Sequence, residues 1–471
     1  VDIDPYKVPI DDLEVYKFFA KGYTEDVFQF GTAGLKRYCQ ELEPNSIDEL
    51  AAANALYRPG PMESNAHNDF VQIKFGRKPA EYDPLLEDIT KSTYGLICFQ
   101  EQTMQAFQRI SDATLTQADE FRRFITKLKG GHLTNQKFLE YQTLFVEGYK
   151  AKGVDEEKGK YVWDKLIAFS SYGFNLSHAV CYAYLGYITQ WFKVHYPLEF
   201  WIVALSFSDP KHLSEMMREI RRTGNIKLFG PDVNKSTLGF NAPDETSIYW
   251  SLDKVKQCGP KLVAKIINER HQNGEFFSVD EFIARTKCDR RAVFNLIISG
   301  AFDVIHDITN PLQRRQLVFK FFERYKINLA DEKYSQYRSE LASFWWQKKA
   351  KEICGYGPII YKDLVDKKWP YKFITPEKID EETSLNQGHA FSGIVMQVLE
   401  RRTKQNEFFG HILLDHNDFP ITFIVWPDKW KEIQQYCQLN RILSFTAELR
   451  KDEYRPVPTF YSFYNTQACN F

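Results

Sequence analysis

Apolar residues recur at helical spacing through much of residues 1–220, where one helix is predicted at Glu101–Ile110, and a later helix is predicted at Gln313–Tyr325. The clearest stretch runs from Ala179 to Phe192, where Tyr187 and Ile188 lie three and four residues after Tyr184, and Trp191 lies four and three residues after them. This spacing puts the four side chains on one face of a helix. Because aromatic stripes of this kind usually pack against other elements, we expect the face to lie in the core.

The pattern changes near residue 222. Short β-like runs broken by Gly and Pro predict a small connecting module over residues 222–250. Leu252 to Ile266 then reads as a helix, a turn at Gly259 and a second helix, and Asp289 to Ser299 predicts another such unit. Backbone N–H groups at the start of the second helix of a hairpin can hold a DNA phosphate without reading sequence. A plain helical hairpin is the alternative.

The last part of the chain has the short apolar runs of strands. Four predicted strands and a predicted helix at Lys429–Tyr436 are typical of a small barrel of the OB type. The strands are Phe391–Leu399, Phe408–Leu414, Ile421–Trp426 and Ile442–Leu449. The loop after the first strand carries Arg401, Arg402 and Lys404, which are candidates for contact with a single strand. A solvated hairpin tip explains these charges equally well.

The composition limits the classes of protein to which the chain can belong. With 471 residues the chain predicts two to four domains, and 44% hydrophobic with 26% charged residues excludes a mostly disordered protein. The 61 basic and 62 acidic residues nearly cancel, so nucleic-acid binding must come from local patches. The eight scattered cysteines, the lack of a long apolar run and the absence of a signal peptide predict a cytoplasmic protein with reduced thiols and no membrane partner.

The sharpest local charge lies in residues 121–137. This segment holds five basic residues and no acid: Arg122, Arg123, Lys127, Lys129 and Lys137. Arginine and lysine side chains can clamp phosphate oxygens. Alternatively, these basic side chains form a charged surface that contacts only solvent.

A second constellation precedes the aromatic helix. Residues 171–178 combine a glycine, aromatic rings, an amide, hydroxyls and an imidazole, which suits contact with a base and a triphosphate. The same residues could be a helix cap, with Ser177 capping the helix and Asn175 closing a turn.

Five blocks in this region resemble one family in order and spacing. They are Leu56–Met62, Tyr94–Met104, Ala118–Arg123, Tyr172–His178 and His195–Phe200. The chain is similar through them to the C-terminal portion of the bacterial DNA polymerase III alpha subunit (DnaE, the C-family replicative polymerases). The resemblance implies a multidomain chain: a mainly α fingers domain at 1–220, a connecting module with tandem helix-hairpin-helix motifs at 221–306, a linker region at 307–387 and an OB barrel at 388–471.

The resemblance also implies roles for particular residues. Gly259 and Lys261 would contact the DNA backbone. Nucleotide or DNA contacts would come from Arg58, Arg122, Arg123, Lys127, Lys129, Tyr172, Asn175, Ser177 and His178. Leu176 departs from the family, which usually has Lys there, so a triphosphate contact from that position is in doubt. The run Gln316–Phe319 resembles a clamp-binding peptide but lies in a helical pattern, which favours a structural role.

No catalytic or metal-binding residue is expected in this chain. Two-metal phosphoryl transfer needs clustered carboxylates, and Asp2 and Asp4 lie in the segment that follows the family's palm domain. The resemblance therefore implies that Mg²⁺ is held by a palm on a separate N-terminal polypeptide, which also carries the PHP domain. The expected function is the C-terminal half of a split DNA-directed DNA polymerase, inactive alone, that binds template-primer and deoxynucleoside triphosphates; a sliding clamp is a further candidate partner. The alternative is a non-catalytic DNA-binding accessory protein.

Overall fold

A computed structural model describes the chain in two units, Val1–Tyr196 and Pro197–Phe471. The residues described are 3–127, 136–170, 173–209, 212–328, 334, 336–337, 343–357, 388–416, 419–439, 441–450 and 459–469. The four-part division at residues 220, 306 and 387 stays a prediction.

The first unit is helical. Its helices are α1 Leu13–Ala20, α2 Ala33–Leu42, α3 Ile47–Leu56, α4 Pro59–Glu63, α5 Ala66–Lys74, α6 Glu87–Thr90, α7 Gln100–Ser111, α8 Leu115–Lys127, α9 Gln136–Ala151, α10 Glu156–Ser170 and α11 Leu176–His195. Side-chain caps start several of them: Asp12, Thr32 and Ser46 accept hydrogen bonds from N–H groups in the first turns of α1, α2 and α3. The predicted helices at Glu101–Ile110 and Ala179–Phe192 are confirmed as α7 and α11.

Helix α3 lies at the centre of one core of this unit. Its last eight residues, 49–56, are all buried, and the three alanines Ala51, Ala52 and Ala53 have no exposed surface. Tyr187 and Ile188 of α11 belong to the same core, with Tyr184 and Trp191 partly buried against it. The aromatic face of α11 therefore packs, as its spacing predicted.

Helices α7 to α10 build a second core around aromatic rings. The rings of Phe107 and Phe121 stack with centroids 3.9 Å apart, and Trp163 is fully buried beside them. Gly148 lets α9 approach α7 closely, because a Cβ at this position would overlap the carbonyl oxygen of Ile110. This core holds α8, and with it the Arg122–Arg123 pair, in place.

The second unit begins with helices and a small sheet. Its elements up to residue 354 are α12 Pro197–Phe207, α13 Leu213–Thr223, β1 Lys227–Phe229, β2 Asn241–Asp244, β3 Ser247–Tyr249, α14 Pro260–Asn273, α15 Val279–Thr286, α16 Arg290–Ser299, α17 Arg314–Arg324 and α18 Ser343–Cys354. Strand β3 lies between β1, which is parallel to it, and β2, which is antiparallel. The short β-like runs predicted at 222–250 are this sheet.

The predicted hairpins differ in detail from the observed ones. Where the pattern predicted a helix before Gly259, the chain forms only a 3-10 turn at Leu252–Lys254, because Val255 returns to an extended conformation. Gly259 is the N-cap of α14, and Asp289 caps α16. The predicted helix at Gln313–Tyr325 is present as α17.

The residues after 387 form a closed barrel with strand order β4-β5-β6-β8-β7. The strands are β4 Gly388–Arg402, β5 Phe408–His416, β6 Phe419–Val425, β7 Ile442–Arg450 and β8 Thr459–Cys469, and helix α19 covers Pro427–Ile433. All neighbouring pairs are antiparallel except β6 and β8. The four predicted strands and the helix near Lys429 are present, and β8 adds a strand that the pattern did not predict. That the barrel is an OB fold stays a prediction.

Candidate functional site

The loop that precedes α11 is fixed to the segment that precedes α7. The N–H of Gln100 donates to the carbonyl of Phe174 at 2.9 Å, and the N–H of Phe174 donates to the carbonyl of Cys98 at 3.3 Å. These two bonds join chain segments that lie more than seventy residues apart. Residues from two of the five sequence blocks, Tyr94–Met104 and Tyr172–His178, therefore lie side by side.

Asn175 is the N-cap of α11, and both the oxygen and the nitrogen of its amide have partners within the protein. Its Oδ1 accepts from the N–H of His178 at 2.8 Å and from the Ser177 hydroxyl at 2.7 Å. Its Nδ2 donates to Oε1 of Glu101 at 2.7 Å. The cap predicted as an alternative is therefore present, but Asn175 provides it in place of Ser177, because Asn175 is the residue directly before the first turn and its side-chain oxygen reaches the N–H of His178.

Glu101 places a carboxylate at the start of α11. Its Oε2 accepts from the N–H of Leu176 at 2.8 Å. A helix N-terminus attracts an anion through its free N–H groups and its dipole. Glu101 therefore already supplies an anion at the start of α11.

The two arginines of α8 share one carboxylate. Arg122 donates to Oδ1 of Asp119 through Nε at 3.0 Å and Nη2 at 2.8 Å, and Arg123 donates to Oδ2 at 2.8 Å. The hydrogen bonds from Arg122 hold the pKa of Asp119 below its ordinary value. Both guanidinium groups are thereby oriented on the same side of α8, with Arg123 67% exposed.

Gln100 connects this arginine pair to the loop. Its Oε1 accepts from Nη1 of Arg122 at 3.0 Å, and its Nε2 donates to the carbonyl of Gly173 at 3.0 Å. The structure thus brings together the basic segment and the loop before α11, which the sequence analysis singled out separately.

Arg58 contacts the same loop at Phe174. Its guanidinium is 4.5 Å from the centre of the Phe174 ring, a cation–π contact. Beside it is a cavity of about 230 Å³. The cavity is lined by Gln29, Leu35, Asn54, Tyr57, Arg58, Phe174, His178 and Tyr182. The imidazole of His178 packs on the Tyr182 ring at 4.0 Å.

The remaining predicted site residues of the helical regions are Lys127, Lys129, Tyr172, Gly259 and Lys261. Lys127 ends α8, but its side chain, Lys129 and Tyr172 lie outside the described residues. Gly259 and Lys261 are both exposed at the start of α14.

The basic residues of the barrel lie at the β4–β5 turn. Arg401 and Lys404 are exposed, and Arg402 lies over the Phe408 ring at 4.5 Å and donates to Asn406 at 2.7 Å. A cation beside an exposed ring is compatible with contact to a single strand.

The carboxylates at the site do not fit a Mg²⁺ ion. Asp119 is taken by two arginines and Glu101 by N–H donors. Asp4 accepts from the N–H of Tyr6 as the cap of a 3-10 turn, and Asp2 lies outside the described residues. Within either unit taken alone, the described His, Cys, Asp and Glu side chains form no cluster of three ligands.

Comparison with known proteins identifies the segment that carries this site. Residues 1–153 match the family model of the bacterial DNA polymerase III alpha subunit finger domain, and residues 225–317 match that of a helix-hairpin-helix motif. The chain thus contains a fingers domain of the DNA polymerase III alpha subunit type, followed by a helix-hairpin-helix motif. The predicted order of a helical fingers region followed by a helix-hairpin-helix region is confirmed.

The chain is similar to DNA polymerase III alpha subunits over almost its whole length. It is 30% identical to that of Aquifex aeolicus (strain VF5) over 465 residues, which are 96% of this chain and 39% of the relative. The subunit of Caulobacter vibrioides is 36% identical over 311 residues, 65% of this chain, and that of Escherichia coli (strain K12) is 32% identical over 312 residues, 64% of this chain. The chain covers 26% of each of these two relatives.

The sequence analysis missed several residues of the site. Gln100 and Glu101 lie inside a quoted block, and Asp119 lies three residues before Arg122, yet none was a candidate. Polar residues directly after the apolar run Ile97–Phe99 were the available signal. No signal in the sequence pointed to Asn54, which follows three alanines in a buried helix.

One finding bears on the membrane. Among the described helices, none has the length and apolar run that crossing a bilayer requires.

Proposed function

We propose that this chain captures deoxynucleoside triphosphates and grips template-primer DNA for DNA-templated DNA synthesis. The observation that carries the proposal is the joined arrangement of Arg122, Arg123 and the loop before α11 in a fingers domain of the DNA polymerase III alpha family. Arginine forks suit triphosphate oxygens, which are bound bidentately. The relatives that match the chain are named as alpha subunits of this polymerase.

The remaining candidate residues have distinct roles in this proposal. Arg58 and His178 face the cavity beside the loop and contact the nucleotide, while Asn175 and Ser177 hold the loop in shape. Lys127, Lys129 and Tyr172 are proposed to contact nucleotide or DNA as the family resemblance implies. Gly259 and Lys261 contact the DNA backbone, and the barrel, as an OB fold, contacts a single strand through Arg401, Arg402 and Lys404.

We propose that the Mg²⁺ ions needed for synthesis are bound by residues other than those described at this site. Mg²⁺ supplies charge stabilisation to phosphoryl transfer when it is bound, and the carboxylates described at the site are used otherwise. We propose that a palm domain on a separate N-terminal polypeptide, with its PHP domain, holds the metal. A sliding clamp is a further proposed partner, bound elsewhere than residues 316–319, because Leu317 and Val318 are buried in α17.

The double variant Arg122→Ala, Arg123→Ala tests the proposal. We expect the Kd for deoxynucleoside triphosphates to rise about tenfold or more, and the salt dependence of primer-template affinity to weaken by roughly two in slope for two lost phosphate contacts. The matched control is Arg109→Ala, which removes another arginine of the same unit that is ion-paired to a carboxylate, Asp88. Unchanged affinity and unchanged salt slope in the double variant would refute the role of the arginine pair.

A second candidate is a non-catalytic DNA-binding accessory protein. Leu176 favours it, because an apolar side chain packed against the α3 core stands where the family usually has a lysine. In that case the chain binds DNA but supports no synthesis with any palm-bearing partner.

A further inference from the structure

A second cavity lies in the first unit, lined by residues of α5, α6 and α10. Its volume is about 160 Å³, and it shares no lining residue with the cavity beside the loop before α11. Its inner walls are apolar and come from buried side chains, namely Ile73, Leu86, Ile97 and Val162. An apolar cavity of roughly 150 Å³ accommodates a benzene ring. The second cavity therefore has room for one ring or for a branched alkyl group.

The outer part of the second cavity carries charged side chains. Two of its three lysines are paired with carboxylates, Lys78 with Asp69 and Lys165 with Glu81. The third, Lys158, is exposed and forms no ion pair among the described residues. One positive charge at the outer part is therefore available to an anion.

Asp83 is the remaining carboxylate of the lining. Its Oδ1 accepts from the N–H of Leu85 at 2.9 Å, and its Oδ2 is buried. Asp83 is therefore not a partner of the exposed ammonium of Lys158, which stays accessible from solvent.

Contacts within the protein hold the walls of the second cavity together. Oε2 of Glu81 accepts from the Tyr161 hydroxyl at 2.8 Å and from the ammonium of Lys165, which joins the segment before α6 to α10. Gly95 lies so close to this segment that an added Cβ would be 2.7 Å from the carbonyl oxygen of Glu81. Because its walls are already joined, the cavity needs little ordering when a ligand enters.

We propose that the second cavity binds a small organic acid, with an apolar group against the inner walls and a carboxylate at Lys158. A lysine ammonium is a compact charge that donates to carboxylate oxygens. One available ammonium matches a single negative charge, which favours a carboxylate over a phosphate carrying nearly two charges. The inference goes beyond the proposed function, since neither the arginine pair nor the loop before α11 lines this cavity.

Binding of 3-phenylpropionate to the full 471-residue chain tests the proposal. Titration followed by ligand-observed NMR gives its Kd, which we expect to be on the order of 1 mM for a ligand of this size. Two analogues separate the contributions, because propionate lacks the ring and 3-phenylpropan-1-ol lacks the charge. We expect each analogue to bind about fivefold more weakly than 3-phenylpropionate, or weaker still.

The variant Lys158→Gln removes the charge that is proposed to hold the carboxylate. It should weaken 3-phenylpropionate binding about fivefold, the scale of an exposed ion pair, and leave the affinity for 3-phenylpropan-1-ol unchanged. The matched control is Lys160→Gln, because Lys160 is an exposed lysine of the same helix that does not line the cavity. This control should bind all three compounds as the wild type does.

Three outcomes would overturn the inference. The first is that 3-phenylpropionate shows no saturable binding to the wild type. The second is that Lys158→Gln and Lys160→Gln bind the acid equally well, which would refute the role of Lys158. The third is a loss of 3-phenylpropionate binding in Arg122→Ala, Arg123→Ala, which would place the acid at the arginine pair; unchanged binding in that variant is expected, whatever its affinity for deoxynucleotides.

Discussion

Asp119 and Gln100 determine how the arginine pair of α8 is presented. Asp119 is bound by both guanidinium groups, and Gln100 holds Arg122 from the other side. Ion pairs between residues three or four positions apart on one helix contribute little to stability. In the proposed function, a triphosphate would displace the Asp119 carboxylate, while the Gln100 contact would keep Arg122 oriented.

This view predicts the effect of Gln100→Leu. Loss of the side-chain bonds to Arg122 and Gly173 should weaken tripolyphosphate binding about fivefold, since hydrogen bonds to charged groups exceed neutral ones in strength. Gln105→Leu is the control, because Gln105 lies on the same helix and is exposed. Titration of both variants with tripolyphosphate checks the prediction, and equal affinities would refute the positioning role of Gln100.

At the same scale, the contact between Asp12 and His195 predicts that the attachment of the N-terminal segment depends on pH. Burial opposes its ionisation, but the 2.7 Å contact with His195 and N–H donors of α1 outweigh burial and lower its pKa below 3.8. A carboxylate whose pKa is lower in the folded than in the unfolded state stabilises the protein at pH values above the unfolded-state pKa. This stabilisation is lost as the pH falls through the folded-state pKa. The attachment of the N-terminal segment to α11 should therefore loosen in acid.

Hydrogen exchange of peptides covering residues 6–19 measures this attachment. Corrected protection in the wild type should fall as the pH drops below 3.8, and Asp12→Asn should start lower and depend less on pH. Asp11→Asn, at the exposed neighbouring carboxylate, should follow the wild type. Identical profiles for the wild type and Asp12→Asn would contradict the prediction.

At the scale of elements, the close approach of α7 and α9 holds the core beneath the arginines. Gly148→Ala would force a Cβ against the Ile110 carbonyl, and we expect it to destabilise the first unit by about 3 kcal/mol, the upper end for overpacking. Gly159→Ala is the matched control in α10, where the nearest atom to an added Cβ is 3.1 Å away. This variant should stay within about 1 kcal/mol of the wild type, because alanine favours the helix.

The free energy of unfolding of both variants is measured by urea unfolding, with hydrogen exchange of α7 and α9 peptides as the readout for the first unit. Equal stability of Gly148→Ala and Gly159→Ala would show that the helices can separate without cost.

The elements also show what the sequence could predict. Periodicity found α7, α11, α17 and four strands of the barrel, because a continuous apolar face is a local signal. The turn at Leu252–Lys254 was predicted as a helix, since its polar and apolar residues fit helical spacing although the backbone extends at Val255. The Glu101–Asn175 contact joins residues 74 positions apart, which no local pattern contains.

At the scale of the whole molecule, the residues proposed to bind nucleotide and DNA lie in both units of the chain. The first unit holds the arginine pair, the loop before α11 and the cavity, and the second holds the hairpins and the barrel. The family resemblance anticipated this order, whereas the structure supplied the partners of each side chain. The claim common to these observations is that the chain binds nucleotide and DNA but depends on a palm from elsewhere for synthesis.

Primer extension tests this claim most directly. The assay uses Mg²⁺, a primer-template and all four deoxynucleoside triphosphates, with the purified chain alone and then with a polypeptide carrying the palm and PHP domains that co-purifies with it. We predict no extension by the chain alone and extension with the partner. Extension by the chain alone would contradict the account, and no extension in either case would favour the accessory DNA-binding protein.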